Sequence, residues 1–162
     1  SLPQVDPARI GIYGGSYGGF LTAMALAKNS DVFAAGVDIH GVHDWTTNSA
    51  RPRRAGFEQP PDYDQAISVA FRSSPVAYVS GWKSPVLLIH GDDDRNVRVD
   101  QTVDLVQRLA AAGVPYEEII IPDDTHHFMR HANSVRVDSA VVEFLSRKLG
   151  VAGGRQASTS AR

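Results

Sequence analysis

The chain has 162 residues, 43% of them hydrophobic and 21% charged, with a formal net charge of −2 and no cysteine. That length predicts one domain with a substantial core, and the near-neutral balance gives no electrostatic footprint for nucleic acid or an anionic membrane. The absence of Cys excludes disulfide scaffolds, thiol nucleophiles and cysteine-ligated zinc, and fits a cytoplasmic location. No apolar run reaches the roughly 18 residues of a membrane-spanning helix, and no signal peptide is visible.

In chain order, Arg9–Tyr13 (RIGIY) predicts a short strand that breaks at Gly14-Gly15. Phe20–Lys28 follows, apolar almost all round, as in a helix buried on several sides, with Asn29 as its stop. Ala34–Ile39 predicts a second strand, and the continuously apolar Val86–His90 a third, covered on both faces. Val99–Ala112 carries Val99, Val103, Val106 and Ala110 at helical spacing, with Gly113 at its C-terminal cap. Tyr116–Ile121 is the fourth strand, and Val137–Leu149 a closing helix with Val137, Val141, Phe144 and Leu145 inward. Arg147 and Lys148 favour its C-terminal dipole and Gly150 stops it.

Two stretches fall outside this rhythm. Thr46–Tyr63, with three Pro, three Arg and no clear period, reads as an excursion over the surface. Ala66–Tyr78 holds a short helix broken by Pro75. Residues 1–150 are expected to form the domain, and the small, polar residues 151–162 a disordered tail. Alternating strands and helices predict an α/β fold, a mostly parallel sheet with helices on both faces. In such a sheet, ligands bind beyond the carboxyl ends of the strands, where this sequence places its polar loops.

Three of those loops carry chemistry. Gly14-Gly15-Ser16-Tyr17-Gly18-Gly19 matches G-x-S-x-G between a strand and a helix, a sharp turn that lifts a Ser hydroxyl clear at a helix head. The flanking glycines are expected because side chains there would clash with the turn and the neighbouring strands. The backbone N–H of Tyr17 would then face an oxyanion formed at Ser16. Gly91-Asp92-Asp93-Asp94-Arg95-Asn96 supplies adjacent carboxylates that repel, so at least one has a specific partner; a Ser–His pair needs such a group to fix the imidazole. Pro122-Asp123-Asp124-Thr125-His126-His127-Phe128 supplies a candidate general base. Nucleophile, acid and base thus follow three separate strands in the order Ser16, Asp94, His126, the order of α/β-hydrolases.

Two other chemistries compete for these residues. A dinucleotide site would use the glycines and Asp38, but no G-x-G-x-x-G occurs. A metal site could draw on His90, Asp92, Asp94, His126, His127 and His131, although no H-E-x-x-H accompanies them. His40 and His43 read as polar loop or substrate-wall residues.

The run Val5-Asp6-Pro7-Ala8-Arg9-Ile10-Gly11 leads into GGSYGG and is followed by Asp38-Ile39-His40-Gly41-Val42-His43-Asp44-Trp45. Ser74-Pro75, HGDDDRNV (His90–Val97) and Pro122-Asp123-Asp124 before His126 complete the series. From about Val5 to Leu149 the sequence resembles the C-terminal catalytic region of the prolyl oligopeptidase family, which includes dipeptidyl and acylaminoacyl peptidases. The resemblance implies the C-terminal half of an α/β-hydrolase fold. It also implies a serine hydrolase, with Ser16 as nucleophile, Asp94 as acid, His126 as base and the Tyr17 N–H as one oxyanion donor. His127 and Thr125 stand at variable positions, and Asp92 and Asp93 lie too early in their loop for the acid.

No cofactor and no metal are implied. The expected substrate is a peptide or a small ester or amide, so peptidase and carboxylesterase both fit the same residues, as does a truncated module acting only in assembly. Relatives carry further strands before the elbow and usually a β-propeller. The resemblance therefore implies a fragment of a larger enzyme, or a homo-oligomer or pairing with an upstream segment through the uncovered nucleophile strand. Loss of the upstream oxyanion donor would cost about 10²–10³ in rate.

Overall fold

The computed structural model describes residues 3–49 and 61–150. Four strands form one wholly parallel sheet in the order β1 (Gly11–Gly15), β2 (Ala35–Ile39), β3 (Val86–Gly91) and β4 (Tyr116–Ile121). Among the described residues β1 is one edge of the sheet, and Tyr13 on it is 66% exposed.

The first strand starts and ends two residues later than the sequence predicts. Pro7–Arg9 forms a 3₁₀ turn, because Asp6 accepts from the Ala8 N–H at 3.0 Å and the Arg9 Nε–H at 2.7 Å. Gly14 and Gly15 do not break the strand: they pair with Asp38 and Ile39 of β2. A parallel ladder needs no side chain, and glycine here admits close neighbours on both sides.

Helix α1 (Tyr17–Lys28) starts at the turn itself and buries Phe20, Thr22, Ala23, Leu26 and Ala27. After β2 come a single turn, α2 (Thr46–Ser49), then α3 (Tyr63–Arg72) and a 3₁₀ segment, Pro75–Gly81. The greater part of the predicted surface excursion lies outside the described residues, as does the predicted tail at 151–162. Pro75 ends the helical region before it as expected, since it opens a new turn and cannot donate to the old one.

Helix α4 (Asp100–Ala112) ends at Gly113, whose φ of 70° is the left-handed cap predicted for it. Its buried residues are Gln101, Thr102, Leu105 and Leu109 rather than the valine row; Val103 is 44% exposed. The larger Leu side chains gain more from burial than the valines, and Gln101 and Thr102 have polar partners inside.

Helix α5 (His131–Leu149) begins six residues before the predicted Val137. Val137 and Phe144 are buried, and Val141 and Leu145 pack beside them, as the periodicity indicates.

The core has two layers. On one face α1 and α4 pack Ala23, Leu26, Leu105 and Leu109 against Val86 and Leu88. On the other, α5 packs Val137 and Phe144 against Val37, Leu87, Ile89 and Ile121. Leu87 and Ile89 alternate with Val86 and Leu88, so β3 is covered on both sides, as its unbroken apolar run predicts.

Candidate active site

The loops after all four strands converge on one open cleft of about 640 Å³. Gly15, Ser16, His40, Asn96, His126 and Phe128 line it.

Ser16 stands between β1 and α1 with φ 56° and ψ −117°, a backbone state strongly disfavoured for an L-residue. The turn is held because the Ser16 N–H donates to the Ile39 carbonyl at 2.9 Å and the Ser16 carbonyl accepts from the Phe20 N–H at 3.0 Å. Close approach explains Gly14, where a Cβ would lie 2.5 Å from the Gly18 carbonyl oxygen. It does not explain Gly18, beside which a Cβ would meet nothing within 4 Å. The crowded position on the helix is Gly19, where a Cβ would lie 2.4 Å from Asp38 Oδ1 and 2.8 Å from Gly41 Cα. Tyr17 is the first residue of α1, so its N–H is one of the helix's free first-turn donors.

The acidic loop after β3 separates into three roles. Asp92 accepts the Asp123 N–H at 2.7 Å and so ties this loop to the next. Asp93, exposed, faces the Arg95 guanidinium at 3.3 Å. Asp94 is buried: Oδ1 accepts the N–H groups of Asn96 at 2.8 Å and Val97 at 3.0 Å, and Oδ2 accepts His126 Nδ1–H at 2.6 Å. Burial pushes the Asp94 carboxyl up, but the His126 hydrogen bond and those two backbone donors outweigh it, and its pKa lies below the ordinary value.

Behind it, His90 Nε2–H donates to the Val97 carbonyl at 2.9 Å and lies 3.3 Å from Asp94 Oδ2, while Nδ1 accepts from the Thr102 hydroxyl at 2.7 Å. That pattern needs one ring proton, in keeping with burial, which pushes the His90 pKa down.

The loop after β4 is shaped by buried Asp124. Its Oδ1 accepts from the Thr125 and Met129 N–H groups at 2.8 and 2.9 Å, and its Oδ2 from Asn133 Nδ2 at 2.7 Å. His126 is thereby carried over the cleft with Nδ1 on Asp94 and Nε2 left for another partner. Ser16 and His126 line the same cleft but make no hydrogen bond with each other among the described residues.

Strain concentrates here. Of the four non-glycine residues with positive φ among the described residues, Ser16, His40 and Phe128 all line the cleft, and Asp123 lies in the His126 loop.

The alternative chemistries fare differently. Asp38, the candidate ribose ligand, is 1% exposed and engaged with the His43 ring and the Gly41 N–H. Of the metal candidates, His127 and His131 are exposed and His131 begins α5. His40, Asp94 and His126 offer ligand atoms within 4.8 Å of one another. The 2.6 Å contact, however, is a hydrogen bond that places a proton where a metal would need a lone pair.

Sequence reasoning missed the buried pair formed by Asp38 and His43. His43 Nε2 lies 2.6 Å from Asp38 Oδ2 and Nδ1 2.9 Å from the Gln101 carbonyl, while Gln101 Oε1 accepts the His43 and Asp44 N–H groups at 2.7 and 2.8 Å. The run Asp38…His43 before Trp45 was the only signal, and it does not indicate which partner closes the network.

The model of the prolyl oligopeptidase family matches residues 1–152. Venom dipeptidyl peptidase 4 of Vespula vulgaris is 37% identical over 128 residues, covering 77% of this chain and 16% of that protein. Dipeptidyl-peptidase 5 of Porphyromonas gingivalis is 30% identical over 154 residues, covering 91% and 22%. Among solved structures, an acylaminoacyl peptidase in complex with Z-Gly-Gly-Phe-chloromethyl ketone aligns at TM-score 0.78 and 29% identity, over 96% of this chain and 26% of that one. A Mycobacterium tuberculosis puromycin-hydrolyzing peptidase aligns at TM-score 0.76 and 28% identity, over 90% and 23%. The chain thus spans less than a quarter of the length of these curated relatives. With its residues 1–152 matched and its sheet and loops in α/β-hydrolase order, the chain belongs to the prolyl oligopeptidase family.

Proposed function

We propose that this chain carries the nucleophile, base and acid of a serine-type peptidase. The single observation behind this is the 2.6 Å His126–Asp94 hydrogen bond in a cleft that also presents Ser16 on a strained strand-to-helix turn. His126 Nε2 takes the Ser16 hydroxyl proton as Oγ attacks a scissile carbonyl, and Asp94 holds the imidazole tautomer and balances the imidazolium. The Tyr17 N–H, at the positive end of α1, stabilises the tetrahedral oxyanion. His126 then protonates the leaving amine, and water hydrolyses the acyl-Ser16 ester by the same steps in reverse order of roles. A Ser–His hydrogen bond absent in the free protein is ordinary, because such contacts often tighten only around substrate. Peptide rather than ester substrates are favoured by the relatives' names, which are those of dipeptidyl and acylaminoacyl peptidases.

Intact mass after incubation with a fluorophosphonate tests the core of this reading. One adduct on the wild type, formed by Ser16 Oγ displacing fluoride at phosphorus, and none on Ser16→Ala, is the expected result. No adduct on a folded wild-type chain, or labelling that survives Ser16→Ala, would overturn it.

A further inference from the structure

His40 follows β2 directly and has no assigned part in this chemistry. Its ring lies against that of His126, with centroids 4.0 Å apart and planes 32° apart, and its neighbours on the cleft side include Phe128 at 5.4 Å and 30°. His90 meets it edge-on at 6.2 Å. The ring sits there at a cost in backbone and hydrogen bonding, in space that a glycine leaves. The His40 backbone is in the left-handed region at φ 43°. Gly15 gives it room, since a Cβ there would lie 3.1 Å from His40 Nε2. Among the described residues, His40 Nδ1 is buried without a hydrogen-bond partner, in a residue only 9% exposed. An unpaired lone pair is tolerated more readily than an unpaired N–H, so the ring proton belongs on Nε2.

We propose that His40 is a positioning residue for His126: its ring face is the plate against which the His126 imidazole is held in line with Asp94 and on which the imidazolium rests. The inference rests on the reading of His126 as base given above. The His40 pKa is pushed down to about 4 by burial, then by the neighbouring His126 and His90, with Asp94 and Asp38 opposing. The plate is therefore neutral near neutral pH. A neutral aromatic face attracts a cation stacked on it, whereas a second imidazolium would repel it. The His40 ring also covers one face of the His126 imidazole, with centroids 4.0 Å apart.

The ring face carries the effect, so a phenyl ring should replace it and an aliphatic chain should not. The test follows the far-downfield proton NMR signal of the His126 Nδ1–H, assigned by its loss in Asp94→Asn, beside the rate of fluorophosphonate labelling. His40→Phe should keep the signal and label within about twofold of wild type, while His40→Leu should broaden the signal by solvent exchange and label about tenfold more slowly. His40→Ala should do the same more strongly; His40→Leu keeps volume in the core and covers the case in which alanine unfolds the chain. Wild-type behaviour in a folded His40→Leu, or loss of signal in a folded His40→Phe, would overturn the role of His40 while leaving the triad standing. Absence of the signal from the wild type would overturn the His126–Asp94 reading, and this one with it.

Discussion

Among the described residues, two buried Asp–His hydrogen bonds share a length of 2.6 Å, and they are built for opposite ends. At Asp38–His43 both ring nitrogens face acceptors, a carboxylate and the Gln101 carbonyl, so both must carry protons and the ring is an imidazolium. Burial opposes that charge, but the Asp38 carboxylate and its hydrogen bond, with the bond to Gln101, overcome it, and the His43 pKa is raised. A residue held this way has no lone pair to offer and no path to a substrate. At Asp94–His126 one nitrogen is committed to the carboxylate, and the ring lines the cleft that Ser16 also lines. The base role proposed for His126 depends on its second nitrogen lacking the carbonyl acceptor that Gln101 gives His43.

Removing each carboxylate should break the comparison most sharply. Asp94→Asn, which keeps the shape but not the charge behind His126, should lower substrate turnover or fluorophosphonate labelling by about 10⁴ in a well-formed site, at a smaller cost in stability than loss of the Asp38 charge. Asp38→Asn should do the reverse. It strands a buried cation and should cost on the order of 3–5 kcal/mol in urea unfolding, with labelling of the folded fraction retained.

The pH dependence separates the pairs further. His43, raised from 6.5, contributes stability that is fully present below that value and is lost as pH rises through the folded pKa. Asp94, lowered from 3.8, contributes stability present above that value and lost as pH falls through the folded pKa. Urea denaturation across pH should therefore show a decline on the alkaline side that Asp38→Asn removes and Asp94→Asn leaves in place. Persistence of that decline in Asp38→Asn would mean that His43 is not its source.

The smallest expected effect is at Gln101, whose side chain accepts two N–H groups of the loop after β2. Gln101→Ala should cost about 1–3 kcal/mol by leaving those donors unpaired, measured by the same unfolding experiment.

The candidate residues of the site were legible because the signals for them are local. The G-x-S-x-G turn, the acidic loop and the His loop each follow a recognisable strand, and a parallel sheet delivers all such loops to one edge whatever lies between them. The second His pair was not legible, because its closing partner, Gln101, is 58 residues from His43 and reaches it only after α4 packs. For the same reason the valine row of α4 misled: periodicity indicates that a helix has a buried face, while the choice between Val103 and Leu105 depends on what the sheet presents opposite.

The sequence by itself determined the order of strands and helices, the parallel architecture and the identities of Ser16, Asp94 and His126 as candidates, since these rest on short-range pattern and turn chemistry. Only the tertiary structure decided which acid touches which histidine, that Gly19 rather than Gly18 is the crowded glycine, and that the His40 ring packs on that of His126. Those facts depend on distances between residues far apart in the chain, which the packing of α1, α4 and α5 on the sheet fixes and no local run of side chains encodes.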